Sequence, residues 1–275
     1  MSLSHSPADS PTSAPPDLAR MPGHWLLAQL GRRVLRPGGL ALTKQMLAAL
    51  AITPADRVVE FAPGLGVTAQ LTLGQRPAAY TAIERDSAAA AQVRSFLTRP
   101  GDRCQIGTAQ ETGLPDGEAT VVYGEAMLTM HSPSQKAEII REAARILQPG
   151  GRYGIHELCL TPDSIDEKSK QAISRQISSA IQVGARPLTS AEWRELLEAE
   201  GFTVEFSAHA PMHLLRIRRM IADEGLRQTI KIIVNMIRRP AARRRMLAMR
   251  RVFEQYSPNL AAISLVARKT EGANR

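Results

Sequence analysis

The sequence predicts an α/β fold in which a mostly parallel sheet is covered by helices on both faces. Two observations support this fold class: short apolar segments recur between residues 57 and 158, and stretches with helical periodicity alternate with them. A third is the turn VVEFAPGLG, residues 58–66, in which a proline and two glycines directly follow the first apolar segment. Turns of this kind are typical of sheets that bind a ligand at their strand ends.

The N-terminal part of the chain is predicted to contain a disordered segment and then two short helices. Residues 1–20 are rich in Ser and Pro and have few large apolar side chains, so burial cannot offset the entropy lost on ordering them. Within residues 21–52, helical spacing of apolar side chains predicts helices over Trp25–Leu35 and Leu40–Leu50, which the sequence RPGG separates.

Residues 53–206 are predicted to form the core domain, and residues 261–275 to add a last strand and a tail. The predicted strands are Arg57–Phe61, Ala79–Ile83, 103–106, Thr120–Tyr123, Arg152–Leu158, Phe202–Phe206 and Ala262–Ala267. The predicted helices are Val67–Leu73, Ser87–Leu97, Ser134–Leu147, Asp166–Ile181 and Thr189–Glu200. This gives a seven-stranded sheet with helices on both faces.

Residues 207–260 are predicted to form an α-helical insertion between strands six and seven. Residues 209–256 contain twelve Lys or Arg and three Asp or Glu, a surplus equal to the net charge of +9 for the whole chain. One predicted helix has an apolar stripe formed by Leu226, Ile230, Ile233, Val234 and Ile237 beside basic residues, and a second has Met246, Met249 and Phe253 on one side.

Three interpretations of this insertion remain open. In the first, the apolar stripes are core contacts and the basic residues form a solvated face. In the second, residues 226–253 form a lid whose basic rim meets an anionic membrane or a lipophilic acceptor. The third, RNA binding, ranks last because the segment offers only Phe253 and Tyr256 as aromatic side chains for stacking on bases, and no recognisable RNA-binding module is attached to it. The apolar helices could equally pair two subunits, so a homodimer is also open.

The apolar runs and the cysteine content of the sequence exclude several classes of protein. The chain lacks the run of about eighteen apolar residues that a spanning helix needs, and its start lacks the pattern of a signal peptide. Two cysteines, Cys104 and Cys159, make neither a disulfide framework nor a metal-ligand cluster. We therefore expect a cytoplasmic protein without a metal, either free or peripheral to the membrane.

The glycine turn and a later acid together indicate a bound nucleotide-like cofactor. Gly64 and Gly66 let backbone amides approach a ligand closely, and Glu84 ends the next strand twenty residues after Gly64, the spacing that brings a carboxylate to ribose hydroxyls. With Ala69 the glycines also satisfy G-x-G-x-x-A, so a nicotinamide-dependent oxidoreductase remains an alternative.

The turn resembles the first motif of the class I S-adenosylmethionine-dependent methyltransferases, acid-x-Gly-x-Gly-x-Gly. Glu60, Gly64 and Gly66 match that motif, and Ala62 replaces its first glycine. Further segments resemble the family in order along the chain: GTAQETGLPDGEATVV at 107–122, ILQPGGRYGIHE at 146–157 and SAEWRELLEAEGF at 190–202. The resemblance covers residues 40–206 and the last strand, and it implies a three-layer Rossmann-like methyltransferase fold.

The resemblance also implies a cofactor, S-adenosyl-L-methionine, and residues that contact it or shape its site. These are Glu60, Ala62, Gly64, Gly66, Glu84, Arg85, Thr108, Ala109 and Glu125. Thr108 stands where many relatives have an aspartate that accepts from the adenine amino group, and a hydroxyl can still accept such a bond. S-Adenosyl-L-homocysteine would be the product.

The acceptor is expected to be a small, apolar or amphipathic metabolite or a lipid-like molecule. The sequence after strand four, YGEAML, lacks the Asn-Pro-Pro-Tyr type motif of relatives that methylate DNA adenine or protein glutamine. Candidates for a general base are Glu125 and His131, followed by His156 and Glu157. The position of His156 in the alternation of a strand favours a buried core histidine over a base. A cofactor-binding module without catalysis, acting through its basic segment, is the remaining alternative.

Overall fold

The computed structural model describes residues 21–212 and 217–270, so the predicted disordered segment 1–20 lies outside the described residues. The strands are β1 Arg57–Phe61, β2 Ala79–Glu84, β3 Arg103–Ile106, β4 Ala119–Glu125, β5 Leu147–Leu160, β6 Leu188–Thr189, β7 Phe202–Pro211 and β8 Leu260–Lys269. The helices are α1 Gly23–Gln29, α2 Gly39–Leu50, α3 Val67–Gly74, α4 Ser87–Arg94, α5 Pro133–Ile146, α6 Glu167–Ile181, α7 Ser190–Ala199, α8 Ile217–Glu224, α9 Leu226–Arg238 and α10 Pro240–Gln255.

Seven strands form one continuous sheet in the order β3-β2-β1-β4-β5-β8-β7. The strands from β3 to β5 pair in parallel, whereas β8 is antiparallel to both β5 and β7. The predicted seven-stranded α/β sheet is therefore confirmed, and the two-residue strand β6 pairs with β5 outside this path. The order reverses between β1 and β4, which is where open α/β sheets bind their ligands.

The sheet is buried on both faces by separate apolar clusters. On one face Ile139 and Ile146 of α5 and Trp193 of α7 pack against strand residues such as Ile155. On the other face residues of α2, α3 and α4 pack against strand residues, among them Met46, Leu50, Ala69, Ala90, Val121 and Tyr123. The arrangement has three layers, helices, sheet and helices, as the alternation of strands and helices predicts.

A third apolar cluster lies between the insertion and the rest of the chain. It joins Leu26 and Leu27 of α1, Ile177 of α6, and Met246 and Met249 of α10. The insertion begins after Pro211 rather than at residue 207, because β7 continues to that residue, and it contains three described helices where the sequence predicts two. On α10 the predicted apolar side, Met246, Met249 and Phe253, is buried.

The apolar stripe of α9 is not buried, so its interpretation as a core contact is wrong. Its five members, Leu226, Ile230, Ile233, Val234 and Ile237, are all exposed, and the helix packs on the protein through Thr229 and Ile232 instead. Apolar periodicity identifies a face but not the surface that covers it. No described helix combines the length and the apolarity needed to cross a bilayer.

Helix α1 is shorter than the predicted Trp25–Leu35. It ends at Gln29, yet Leu30 and Val34 are still buried, as their spacing suggests. The chain leaves the helix at Gly31, whose φ of +99° is outside the helical region. Beyond it, Oε1 of Glu224 in α8 accepts from the backbone NH groups of Arg33 and Val34 at 2.7 and 2.8 Å. A side chain distant in sequence thus replaces the carbonyl acceptors of a further helical turn.

Candidate functional site

The glycine turn after β1 is held in a left-handed backbone conformation. Ala62, Gly64 and Gly66 have φ of +50°, +54° and +73°. A Cβ on Gly66 would collide with the ring of Phe96, so another residue fits there only if that ring moves, whereas a Cβ on Gly64 would meet no atom within 4 Å. The space beside Gly64 is therefore open to a ligand. Ala62 adopts a conformation that glycine takes at lower cost, which explains why a glycine suits this place in the motif.

Glu84 connects the end of β2 to the glycine turn, as its spacing predicts. Its carboxylate is buried, with Oε2 accepting from the NH of Gly64 at 3.1 Å and Oε1 from the NH of Asp86 at 2.9 Å. Each carboxylate oxygen retains a further lone pair for a ligand hydroxyl. Arg85, the next residue, is exposed beside the site.

Glu60 lies beneath the turn, on the sheet face that α3 covers. Its Oε2 accepts hydrogen bonds from the hydroxyls of Tyr80 at 2.5 Å and Tyr123 at 2.7 Å, and Tyr123 also bonds Thr72 of α3 at 2.7 Å. Burial raises the pKa of Glu60 to about 7, although both tyrosine hydroxyls oppose the shift. This position favours shaping the turn over direct contact with a ligand.

Glu125 ends β4 within a buried polar cluster. Its Oε1 accepts from Thr43 of α2 at 2.6 Å and from Nδ1 of His156 at 2.7 Å, and its Oε2 accepts from Thr68 of α3 and pairs with Arg36 Nη1 at 3.1 Å. Burial alone would raise the pKa of Glu125, but the charge of Arg36 and the hydrogen bonds outweigh it and bring the pKa to about 2. The carboxylate therefore stays ionised.

His156 completes this cluster from β5, where it lies opposite Glu125 in the parallel register. It is fully buried, and its Nε2 lies 2.5 Å from the carbonyl of Pro37. Both ring nitrogens thus lie against acceptors of the protein, Glu125 on one side and the carbonyl of Pro37 on the other. The cluster links the RPGG segment and α2 to the sheet, and neither Glu125 nor His156 is well suited to accept a proton from a substrate.

Arg36 leaves part of its hydrogen-bonding capacity unused. Nη1 pairs with Glu125, whereas the buried Nε and Nη2 have no hydrogen-bond partner. The pair lies where the end of β4 meets the N-terminus of α3, beside the glycine turn. A buried guanidinium with free donors is expected to bind an anionic ligand group such as a carboxylate.

A cavity of about 700 Å³, part of it open to solvent, lies between α1, α6, α10 and the ends of β4 and β5. Its lining is mostly apolar: Gly23, Leu27, Leu35, Pro37, Ala126, Met130, Leu158, Ile177, Ile181, Ala185, Met212, Met249 and Phe253. His24, Thr129 and Glu157 provide its polar side chains. An apolar lining with a few polar side chains is the composition of a site for a small organic molecule.

Glu157 has its hydrogen-bonding capacity filled by the segment after β4. Its carboxylate accepts from the backbone NH groups of Met127, Leu128 and Thr129 and from the Thr129 hydroxyl, at 2.7 to 3.0 Å. Burial raises the pKa of Glu157, and these four donors oppose the shift. Glu157 therefore orders the floor of the cavity.

Comparison with known proteins assigns the chain to a family. A family model described as a methyltransferase domain matches residues 59–155. An uncharacterised protein of Haemophilus influenzae is 31% identical over 220 residues, which cover 78% of this chain and 86% of that protein. The chain belongs to the class I S-adenosylmethionine-dependent methyltransferases.

Two further similarities are more distant. The 27-O-demethylrifamycin SV methyltransferase of Amycolatopsis mediterranei is 24% identical over 144 residues, which cover 51% of this chain and 52% of that enzyme. The crystal structure of the [4+2]-cyclase SpnF superposes with a TM-score of 0.67 at 18% identity, covering 90% of this chain and 93% of that one. The similarity to SpnF shows a shared fold.

The site of this methyltransferase fits the family's cofactor at three places. The open backbone at Gly64, the carboxylate of Glu84 and the unpartnered donors of Arg36 match a ligand that carries ribose hydroxyls and a carboxylate. After β3, the NH of Gly107 donates to the carbonyl of Glu84 at 3.1 Å, which brings Thr108 and Ala109 beside the end of β2. Thr108 is exposed there, whereas Ala109 is buried.

The catalytic candidates differ in their relation to the cavity of the methyltransferase. His131 follows the cavity residues Thr129 and Met130, but its Nδ1 bonds the carbonyl of Met127 at 2.9 Å and its side chain is not part of the lining.

Among the described residues, no group of three or more His, Cys, Asp or Glu side chains could hold a metal ion.

Sequence reasoning missed His24, which lines the cavity from α1. Its pKa is lowered by burial and by the charge of Arg85, with Asp86 opposing the shift. Arg85 and Asp86 directly follow β2, so the ring lies within reach of charges at the end of that strand. The only sequence signal is helical spacing, because His24 and Leu27 share a face of α1.

Proposed function

We propose that this methyltransferase transfers the methyl group of S-adenosylmethionine to a small apolar or amphipathic molecule bound in the cavity. The observation that carries the proposal is the lining: apolar side chains from α1, α6 and α10 surround a space of about 700 Å³ in which His24 and Glu157 are the ionisable groups. The Amycolatopsis relative, whose name gives a demethylrifamycin as its substrate, supports a bulky organic acceptor.

Specific residues are proposed to hold the cofactor. Glu84 accepts the ribose hydroxyls, the backbone at Gly64 approaches the ligand, and Thr108 and Ala109 meet the adenine. Arg36 donates through Nε and Nη2 to the carboxylate of the methionine part. The bound cofactor supplies a methyl group that its sulfonium makes electrophilic, so the protein has to align the acceptor and exclude water.

His24 is proposed as the general base for an acceptor that loses a proton, such as a hydroxyl. Its lowered pKa keeps the imidazole neutral at pH 7, and a neutral imidazole accepts a proton. His131 remains the second candidate because it follows the cavity floor. Glu157 acts by positioning, since its four hydrogen bonds order the loop that carries Thr129.

Calorimetric titration tests the cofactor assignment. Wild-type protein is expected to bind S-adenosylmethionine and S-adenosylhomocysteine but not NADH, and Glu84→Gln to bind both sulfur cofactors about ten- to a hundredfold more weakly, because a charged acceptor is lost. Glu195→Gln, which changes an exposed glutamate of α7, is the matched control. Preference for NADH would establish the oxidoreductase alternative.

Transfer of a radiolabelled methyl group tests the acceptor class. Apolar compounds carrying a single hydroxyl are expected to be methylated, and their methyl ethers and highly charged analogues are not. Binding of the cofactor without transfer to any member of an acceptor panel would favour the non-catalytic module. Transfer confined to charged acceptors would contradict the argument from the apolar lining.

A further inference from the structure

Helix α9 has two separate faces, and only one of them packs on the protein. Thr229 and Ile232 are buried, whereas an apolar face formed by Leu226, Ile230, Ile233, Val234 and Ile237 is exposed. Leu226 and Ile237, at opposite ends of the helix, are 63% and 65% exposed. At about 100° per residue, the five side chains span one narrow stripe along the whole helix. The same helix therefore needs a second apolar surface to cover it.

A row of cations lies directly beside this stripe. Arg227, Lys231 and Arg238 recur at helical spacing along the edge of the apolar face, and α9 contains no acidic residue. Helix α10 continues the charge with Arg243, Arg244, Arg250 and Arg251, of which Arg250 pairs with Glu254 at 2.9 Å. An apolar face with a basic border is the pattern of helices that lie in the surface of an anionic membrane.

Helix α9 is also coupled to the cavity through α1. Two side chains of α9, and that of the residue after it, donate hydrogen bonds to backbone carbonyls at the C-terminal end of α1. Gln228 donates to Gly31 at 2.5 Å, Asn235 to Leu30 at 3.1 Å and Arg239 to Gln29 at 3.2 Å. Helix α1 in turn lines the cavity through Gly23, His24 and Leu27. The exposed stripe thus belongs to the structural unit that covers the acceptor cavity.

We propose that α9 docks on an anionic lipid bilayer with its apolar stripe in the interface, and that the acceptor is an amphiphile drawn from that bilayer. The second part rests on the proposed function, whereas docking does not. Charge favours a bilayer over a second copy of this chain. An antiparallel two-fold pairing of α9 would bring the basic borders of both copies together, and in any pairing both copies carry the same surplus of positive charge in this segment. Anionic headgroups neutralise these cations instead.

Cosedimentation with vesicles tests the docking. The full chain is expected to bind vesicles that contain phosphatidylglycerol and to bind pure phosphatidylcholine vesicles far more weakly. The double variant Leu226→Ser/Ile237→Ser is expected to lose roughly a hundredfold in partitioning, because two largely exposed apolar side chains no longer enter the interface. The triple variant Arg227→Gln/Lys231→Gln/Arg238→Gln is expected to lose on the order of a hundredfold at low salt, from the three cations beside the surface.

Ile106→Ser is the matched control, since Ile106 is an exposed isoleucine on β3, outside the insertion. Its vesicle binding is expected to equal that of the wild type. All variants change exposed side chains, so unchanged melting temperatures and unchanged titration with S-adenosylmethionine would separate loss of docking from loss of the fold or of the cofactor site.

Two results would overturn the proposal. One is equal vesicle binding by the wild type and the Leu226→Ser/Ile237→Ser variant. The other is a wild-type dimer in analytical ultracentrifugation that becomes a monomer in this variant, without binding to either kind of vesicle, which would assign the stripe to self-association. Docking without methylation of any bilayer amphiphile would contradict the proposal that the acceptor comes from the bilayer, and it would leave the cofactor assignment intact.

Discussion

Replacement of Glu60 by Gln is expected to change how the stability of the protein depends on pH. Glu60 is buried beneath the glycine turn, and its pKa is raised to about 7 in the folded protein. In the unfolded chain the pKa returns to its ordinary value of 4.5. A carboxyl with a raised pKa stabilises the fold at low pH, and this contribution is lost as the pH rises through the folded value.

The magnitude follows from the two values. Moving the pKa from 4.5 to about 7 corresponds to roughly 3 kcal/mol, which the wild type loses between about pH 4.5 and pH 7. Gln cannot ionise, and its amide oxygen can still accept from Tyr80 and Tyr123. The free energy of unfolding of Glu60→Gln, taken relative to the wild type, should therefore be higher at pH 8 than at pH 5 by roughly 2.5 kcal/mol, because part of the loss has already occurred at pH 5.

Urea unfolding at the two pH values measures this difference, since all other ionisable groups are common to both proteins. Glu195→Gln, on the exposed face of α7, is expected to show the same difference from the wild type at pH 5 and pH 8. If Glu60→Gln behaved like this control, Glu60 would ionise normally, and the reasoning from its burial would be refuted.

Four further substitutions test the rest of the site. Glu125→Gln should lower the free energy of unfolding at pH 7 by about 3–5 kcal/mol, because the buried Arg36 guanidinium loses its counter-charge. The wild type should also lose stability as the pH falls from 4.5 towards 2, and the variant should lose less. His24→Asn should lower kcat about 10²- to 10⁴-fold with unchanged calorimetric affinity for S-adenosylmethionine, and wild-type kcat should rise with pH through a pKa below 6.5. Gly64→Ala should weaken binding of the cofactor and lower the melting temperature modestly, because alanine is strained at φ of +54°. Gly66→Ala should lower the melting temperature more, because its Cβ carries the same strain and also meets the ring of Phe96. Equal effects of the two glycine variants on stability would contradict the open space at Gly64.

Much of the fold could be predicted because local rules specify it. The five parallel strands were found from short apolar segments, and β1 and β3 have the predicted bounds. Helix α7 was found from its capping pattern, and the structure contains that capping box, with Thr189 accepting from the NH of Glu192 and the Glu192 side chain accepting from Thr189. Glu84 was placed at the glycine turn by spacing alone, and its bond to Gly64 gives the two residues direct contact.

The polar cluster of Arg36, Glu125 and His156 could not be predicted, because its members come from distant parts of the chain. Residues 36 and 125 meet only when α2 packs on the sheet beside β4 and β5. Sequence reasoning gave Glu125 and His156 as candidate bases on the strength of their positions at strand ends. Their mutual bond and their contacts with Arg36 and Pro37 favour a role in holding the N-terminal segment.

The sequence by itself determined the order of strands and helices, the turn after β1 and the carboxylate that joins it, because each depends on periodicity or spacing over a few tens of residues. Only the tertiary structure decided that His24 lines a cavity, that Arg36 has free donors and that the apolar stripe of α9 is exposed. These properties depend on which surfaces cover one another. A periodic pattern states that a face is apolar, and packing alone determines what lies against it.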